Sequence, residues 1–163
     1  MEKKEIEEHF NNLLYRFEEI FYHELSLCAS PKSEFVGVDF LRSKKIKGKT
    51  VGEVIENCIK EIKRGGLVKD ITYSLHGFNV LLKLKVEGCV HLPKEIRLKQ
   101  EDIEPYCCPI ANMILDRIIE ILHYLTTYTA EIDVDEKQKE CTLKCAIYET
   151  IDKIGQVSDW TKF

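Results

Sequence analysis

The chain has 163 residues, of which 44% are hydrophobic and 32% charged, and its formal net charge is −4. These values are typical of one globular domain and give no overall attraction to nucleic acid or to an anionic membrane, so we expect no direct nucleic-acid partner. No apolar run approaches the ~18 residues that read as a membrane span, and no apolar segment follows the charged N-terminus as in a signal peptide. We therefore expect a cytoplasmic protein, in which seven cysteines favour free thiols or a metal site over disulfides.

Residues 1–28 hold the first predicted element, a helix over residues 3–27. Its apolar residues recur at three- and four-residue steps and form one face: Ile6, Phe10, Leu13, Leu14, Phe17, Ile20, Phe21 and Leu25. An apolar face of this kind predicts that the helix packs against the core. A sharper alternative is that Phe10, Phe17 and Phe21 form a dimer seam or, with Met113, line a ligand pocket.

Residues 50–149 are the predicted core, and they begin with a second helix. Thr50 and Glu53 match a capping box, and Gly65-Gly66 ends the helix because glycine accepts the left-handed conformation. The apolar stripe of this helix consists of Val51, Val54, Ile55, Cys58, Ile59 and Ile62. Two segments with period-two alternation follow, over residues 70–75 and 80–87, and they predict an antiparallel hairpin.

A third helix is predicted from Pro109 to about Tyr128. Proline suits the first helical position, which makes Cys108 the N-cap, and a thiol there meets unpaired N–H groups that favour a thiolate. A thiolate is a metal ligand or a nucleophile, so Cys107 and Cys108 are candidates for either role. The helix is apolar on more than one side, which indicates contact with a second subunit and hence a homodimer.

A second hairpin is predicted over residues 130–149, with its turn near residues 136–139, and a tail over residues 150–163 packs on the body. Cys141 and Cys145 are four residues apart and therefore share one face of their strand. An even-length turn pairs Val134 with Cys141 and sets Glu131 opposite Lys144, which leaves the thiols on an apolar face. An odd-length turn or a bulge places Glu131 on the thiol face instead.

The predicted fold is α+β: one domain, residues 1–163, with an antiparallel sheet of about four strands packed with three to four helices. The order of elements resembles the 4-vinyl reductase domain, which is related to the small subunits of the transport-particle (TRAPP) complexes. The resemblance is specific from Cys108 to about Tyr148. It implies a zinc site that matches Cys108, Glu131 and Cys141, with Cys145 as the fourth ligand, beside a pocket for a hydrophobic molecule.

We therefore expect a small hydrophobic-molecule-binding or regulatory domain with a structural zinc site and no catalytic residues. Two alternatives stay open. One is an enzyme like a tetrapyrrole vinyl reductase, and the other is an assembly or adapter subunit. In the opposing interpretation of the cysteines, Cys141 and Cys145 are buried core thiols and no metal is bound.

Overall fold

The structure, a computed structural model, describes residues 3–26, 29, 33–77 and 81–150. The end of the predicted first helix, residues 27–28, and the predicted tail beyond residue 150 lie outside this part. The described residues form five helices and four strands, which confirms the predicted α+β class. They are α1 (Lys3–Leu25), α2 (Asp39–Arg42), α3 (Val51–Arg64), β1 (Asp70–His76), β2 (Leu81–Glu87), α4 (Leu92–Gln100), α5 (Pro109–Leu122), β3 (Thr126–Asp135) and β4 (Glu140–Tyr148).

The four strands form one sheet in the order β1-β2-β4-β3, and all neighbours are antiparallel. Both predicted hairpins are present, and β2 pairs with β4 to join them, so that Val86 lies opposite Cys141. Helices α3 and α5 pack against each other and bury their apolar residues with one face of the sheet. Helix α1 packs instead against α4, away from this main core.

The capping box of α3 forms largely as predicted. The Thr50 hydroxyl accepts a hydrogen bond from the Glu53 N–H (3.2 Å), while the Glu53 carboxylate accepts from the Lys49 N–H (2.7 Å). Cys58 is fully buried on the apolar stripe. Gly66 has a φ of +71°, the left-handed conformation that the predicted helix end requires.

Helix α5 begins as predicted, with Cys108 in extended conformation before Pro109, but it ends earlier. His123 has a φ of +57° and ends the helix at Leu122, six residues before the predicted boundary at Tyr128. The residues that follow, Thr126-Thr127-Tyr128-Thr129, are β-branched or aromatic, and they pair with β4 instead. The second hairpin is therefore longer than the predicted range of 130–149 at its N-terminal end.

Helix α1 does not bury the apolar face that we expected to pack against the core. Its buried residues are Asn11, Tyr15 and Glu18, whereas Phe10 and Phe17 are 57% and 58% exposed. The reason is that α1 meets α4 through polar contacts on a neighbouring face of the helix. This arrangement leaves most of the predicted apolar face outside the core.

Candidate functional site

The register of the second hairpin decides where the predicted metal ligands lie. Asp135 pairs with Glu140 and Val134 with Cys141, so the turn has even length and the thiols face the core. Glu131 lies opposite Lys144, on the other face of the sheet, and pairs with its ammonium group (3.0 Å). A register shift does occur, but it falls between Thr129 and Glu131 and leaves Glu131 away from the thiols.

Cys145 is also separated from the other predicted ligands. Four residues of a β-strand span about 13 Å, whereas two sulfur atoms on one zinc ion lie at most about 4.6 Å apart. Cys141 and Cys145 therefore cannot bind the same ion in this strand. The Cys145 thiol instead contacts the Thr129 hydroxyl (3.8 Å), and burial raises its pKa to about 12. The predicted set of Cys108, Glu131, Cys141 and Cys145 does not fit one metal ion.

Three other thiols, like the side chain of Glu95 at the start of α4, are largely buried in or against the core. Cys89 follows β2, Cys108 precedes α5, and Cys141 lies on β4 opposite β2. Burial raises the pKa of Cys89 to about 11 and that of Cys141 to about 12, and the negative charge of Glu95 adds to both shifts. The three thiols and Glu95 thus share one buried region.

Burial opposes the predicted thiolate at Cys108. Burial raises the pKa of Cys108 well above its ordinary value, and the Glu95 charge adds to this, while the Ala111 N–H at the helix start acts weakly in the other direction. Cys107 is likewise buried, and its pKa is raised to about 12, chiefly by burial. Neither thiol has the properties of an activated nucleophile.

Beside the thiols lies a buried ion triad of Glu18, Lys94 and Glu95. The Lys94 ammonium group contacts a carboxylate oxygen of Glu18 (2.5 Å) and of Glu95 (2.7 Å) and donates to the Cys107 carbonyl (2.7 Å). The side chains of Lys94, Glu18 and Glu95 are 0%, 5% and 3% exposed. The triad could not be predicted from the sequence, because Lys94 and Glu95 lie in a segment whose apolar residues show neither helical nor strand spacing.

The triad has one carboxylate more than it has cations. Burial raises the pKa of Glu18 to about 7, which Lys94 opposes and the neighbouring Glu95 charge reinforces. Burial also lowers the pKa of Lys94, but the two carboxylates outweigh it and hold that pKa above its ordinary value. Among the described residues, the Oε2 atom of Glu95 has no hydrogen-bond partner. A carboxylate of the triad therefore takes up a proton at a higher pH than an exposed one does.

An open groove of about 840 Å³ lies between α1 and α4, next to the turn after β2. Its apolar lining consists of Val90, Leu92, Pro93 and Ile96, and charged residues of α1 and of the β3–β4 turn form its rim. Asn11 lies in this groove and is only 8% exposed. Its Nδ2 donates to the carbonyls of Glu7 (2.9 Å) and Val90 (2.8 Å), while its Oδ1 has no partner among the described residues.

The predicted pocket residues do not line this groove. Phe10 and Phe17 are exposed on the outer side of α1, and Phe21 is half-buried. Met113 is buried in the main core with residues of α3 and the sheet. In the sequence, Asn11 is one amide side chain on a predicted helix, and nothing there indicates that it is buried.

Within the described residues, no three or more His, Cys, Asp and Glu side chains are arranged around a common point that could hold a metal ion. None of the helices in this part combines the length and the apolar character needed to cross a bilayer. No protein-family model, curated protein or solved structure matches the chain. The resemblance to the 4-vinyl reductase domain therefore stays a prediction.

Proposed function

We propose that this chain is a regulatory domain that binds a small, largely apolar molecule in the groove between α1 and α4. The groove volume of about 840 Å³ falls within the range of small-molecule sites. Such sites combine an apolar lining with a few polar groups that orient the ligand. The observation that carries the proposal is Asn11, a residue of the groove lining whose buried Oδ1 acceptor has no partner among the described residues.

The unpaired acceptor also defines the chemistry of the ligand. A buried carbonyl without a hydrogen bond costs about 1–3 kcal/mol, and a ligand that donates one restores part of this. The apolar lining of Val90, Leu92 and Ile96 suits an aromatic or aliphatic body. We therefore propose a ligand with an apolar body and one hydroxyl or amine donor, a class to which simple phenols belong.

The regulatory role follows from which elements form the groove. Helix α1 is one wall, and polar contacts hold it to the rest of the chain: Asn11 to Val90, Glu18 to Lys94, and the Tyr106 hydroxyl to the Glu18 carbonyl (2.7 Å). A ligand that bridges α1 and α4 therefore favours one position of α1. An enzyme that used Cys107 or Cys108 as a nucleophile is disfavoured, since burial keeps both thiols protonated.

A matched pair of probes tests the groove. We expect phenol to bind more tightly than anisole, its methyl ether, because only phenol donates a hydrogen bond to Asn11. NMR shift mapping on the full chain should place the perturbed amides in residues 88–97 and in the first half of α1. Asn11→Leu should remove the preference for phenol, and Ile96→Trp should block both probes by filling the groove.

The control for this test is Thr72→Ala, which alters an exposed position on β1 far along the sheet. It should leave both affinities unchanged. Equal binding of phenol and anisole by the unaltered protein, or shifts confined to residues outside the groove, would contradict the proposed site.

A zinc ion forms the second part of the proposal, with a ligand set that differs from the predicted one. We propose Cys89, Cys108, Cys141 and Glu95, which are buried in or against the core, although their side chains do not surround a common point in the described residues. Three thiolates and one carboxylate are a ligand set that zinc accepts. Binding requires the side chains to close around the ion and to release their protons, so the affinity should rise with pH.

Metal analysis of protein produced in zinc-supplemented medium tests this site. We expect about one zinc per chain in the unaltered protein and a loss of most of it in Cys108→Ser and in Cys141→Ser. Cys145→Ser is the matched control on the same strand, since its sulfur lies too far from the site, and it should keep its zinc. Zinc-free protein, or equal loss in Cys145→Ser and Cys141→Ser, would rule out this ligand set.

A further inference from the structure

The outer side of α1 carries an exposed apolar stripe, here called the α1 seam: Ile6, Phe10, Leu13, Phe17 and Ile20. Their exposed fractions are 37%, 57%, 43%, 58% and 53%. The steps of four, three, four and three residues match the a and d positions with which one helix meets another in a coiled coil. The seam extends over about 21 Å, or nearly four helical turns.

The arrangement of α1 on the body is the reverse of the usual one. A helix on a monomeric domain normally turns its apolar stripe inward and its polar residues outward. In α1, the buried side includes Asn11 and Glu18, which bond Val90 and Lys94, while the apolar seam faces outward. Among residues 3–26, 29, 33–77 and 81–150, packing within one chain therefore accounts for the polar side of α1 and leaves the seam unexplained.

We infer that the α1 seam is a dimer interface, and that its occupant is the same seam of a second copy of this chain. A heptad seam is self-complementary, because a and d side chains of one helix fill the spaces between those of an identical helix. The five side chains expose roughly 400 Å² per copy, which lies within the size range of the largest apolar patch on a typical monomer. Two copies would bury ~800 Å² from the seam alone, and the flanking rows must add the remainder of a stable interface.

The flanking rows indicate how the two copies are oriented. One row holds His9, Arg16 and His23, and the other holds Glu7, Leu14 and Phe21. An antiparallel pair sets the first row against itself and brings the two Arg16 side chains together, whereas a parallel pair sets the first row against the second. In the parallel pair, Arg16 meets Phe21 of the other copy, a favourable cation–aromatic contact. Arg16 already pairs with Glu19 of its own chain (2.5 Å), so its charge is partly neutralised, and the preference for a parallel pair rests on the Phe21 contact.

A membrane surface fits the seam less well than a second copy does. Amphipathic helices that bind anionic bilayers have polar faces rich in lysine and arginine. Helix α1 contains only three such residues, Lys3, Lys4 and Arg16, against six glutamates. The charge around the seam thus favours a protein surface, and its spacing favours an identical helix.

Sedimentation velocity on the full chain, over about a hundredfold range of concentration, tests the interface. We expect the unaltered protein, whose monomer mass is 19.0 kDa, to reach the dimer mass as its concentration rises. The double variant Phe10→Glu/Phe17→Glu should remain a monomer with an unchanged circular dichroism spectrum, because both side chains lie outside the core. Leu13→Glu, at the centre of the seam, repeats the test with one substitution should the double variant fail to fold.

The matched control is Phe35→Glu, which alters another strongly exposed phenylalanine that does not belong to the seam. It should form the dimer like the unaltered protein. Arg16→Gln should weaken a parallel dimer and strengthen an antiparallel one, so a tighter dimer would overturn the orientation. A chain that stays monomeric, or a Phe10→Glu/Phe17→Glu variant that still forms the dimer, would overturn the interface itself. Neither result depends on phenol binding in the groove.

Discussion

Lys94 has an unusual environment for a lysine because its side chain is completely buried. Lysine is almost never fully buried without partners, and here the whole side chain is inaccessible and contacts two carboxylates and a carbonyl. The favourable interactions of such a group mostly offset its loss of hydration, so the triad as a whole adds little net stability. Removal of one member is different, because it leaves uncompensated charge in the interior.

Lys94→Met should therefore be strongly destabilising. We expect the free energy of unfolding to fall by about 3–5 kcal/mol near neutral pH, since Glu18 and Glu95 lose the cation that both contact in the described part of the chain. Protonation of a carboxylate relieves part of this, so the loss should be smaller at pH 5 than at pH 8. Urea denaturation of the unaltered and variant proteins measures both effects.

Lys69→Met provides the control, because Lys69 is exposed and pairs with Glu87 on the surface. Solvent screens an exposed pair of this kind, so this variant should unfold almost like the unaltered protein. A Lys94→Met variant as stable as Lys69→Met would mean that water reaches the triad.

At the scale of whole elements, local sequence patterns predicted the three long helices and the four strands, but they missed α2 and α4 and did not show which surfaces the helices bury. The capping box of α3 and the proline at the start of α5 act within one helical turn, and both occur where the pattern places them. The apolar stripe of α1 is equally clear, yet it faces outward. Which side a helix buries depends on its partner, and the partner of α1 is a short helix that no local pattern marked.

The cysteine site also could not be predicted fully from local sequence patterns. The even-turn register of the second hairpin was one of two open alternatives, and the structure confirms it. The rise of a strand alone could have excluded Cys141 and Cys145 as ligands of one ion, since four residues span about 13 Å. The approach of Cys89 and Glu95 to Cys108 and Cys141 could not be predicted, because it depends on how β2 pairs with β4 and where α4 packs.

At the scale of the whole molecule, the ion triad joins parts of the chain that are distant in sequence. Glu18 comes from α1, Lys94 and Glu95 from α4, and the carbonyl of Cys107 from the segment before α5. The same α1 forms one wall of the groove and carries the seam. A change in the charge of the triad therefore changes how strongly α1 is held to the rest of the chain. We assign both ligand binding and dimer formation to this helix.

Glu18 should make the stability of the whole domain depend on pH. Its pKa is raised from 4.5 to about 7, chiefly by burial, so the folded state keeps a proton that the unfolded state releases between these values. The stabilisation from this proton is complete below about pH 4.5 and is lost as the pH rises through about 7. The loss is on the order of 3 kcal/mol. The groups that face Glu18 are Lys94, Glu95, Tyr106 and Cys107.

Glu18→Gln should remove this dependence, because the amide does not titrate. Urea denaturation of chelator-treated protein between pH 4.5 and pH 8.5 should show Glu18→Gln gaining stability relative to the unaltered chain as the pH rises. Glu19→Gln is the matched control one residue away: a hydrogen bond from Arg16 lowers the pKa of Glu19, so its removal cannot produce the same trend. If the two variants follow the unaltered protein in parallel across this range, Glu18 is ionised in the folded state throughout, and the triad does not couple pH to the position of α1.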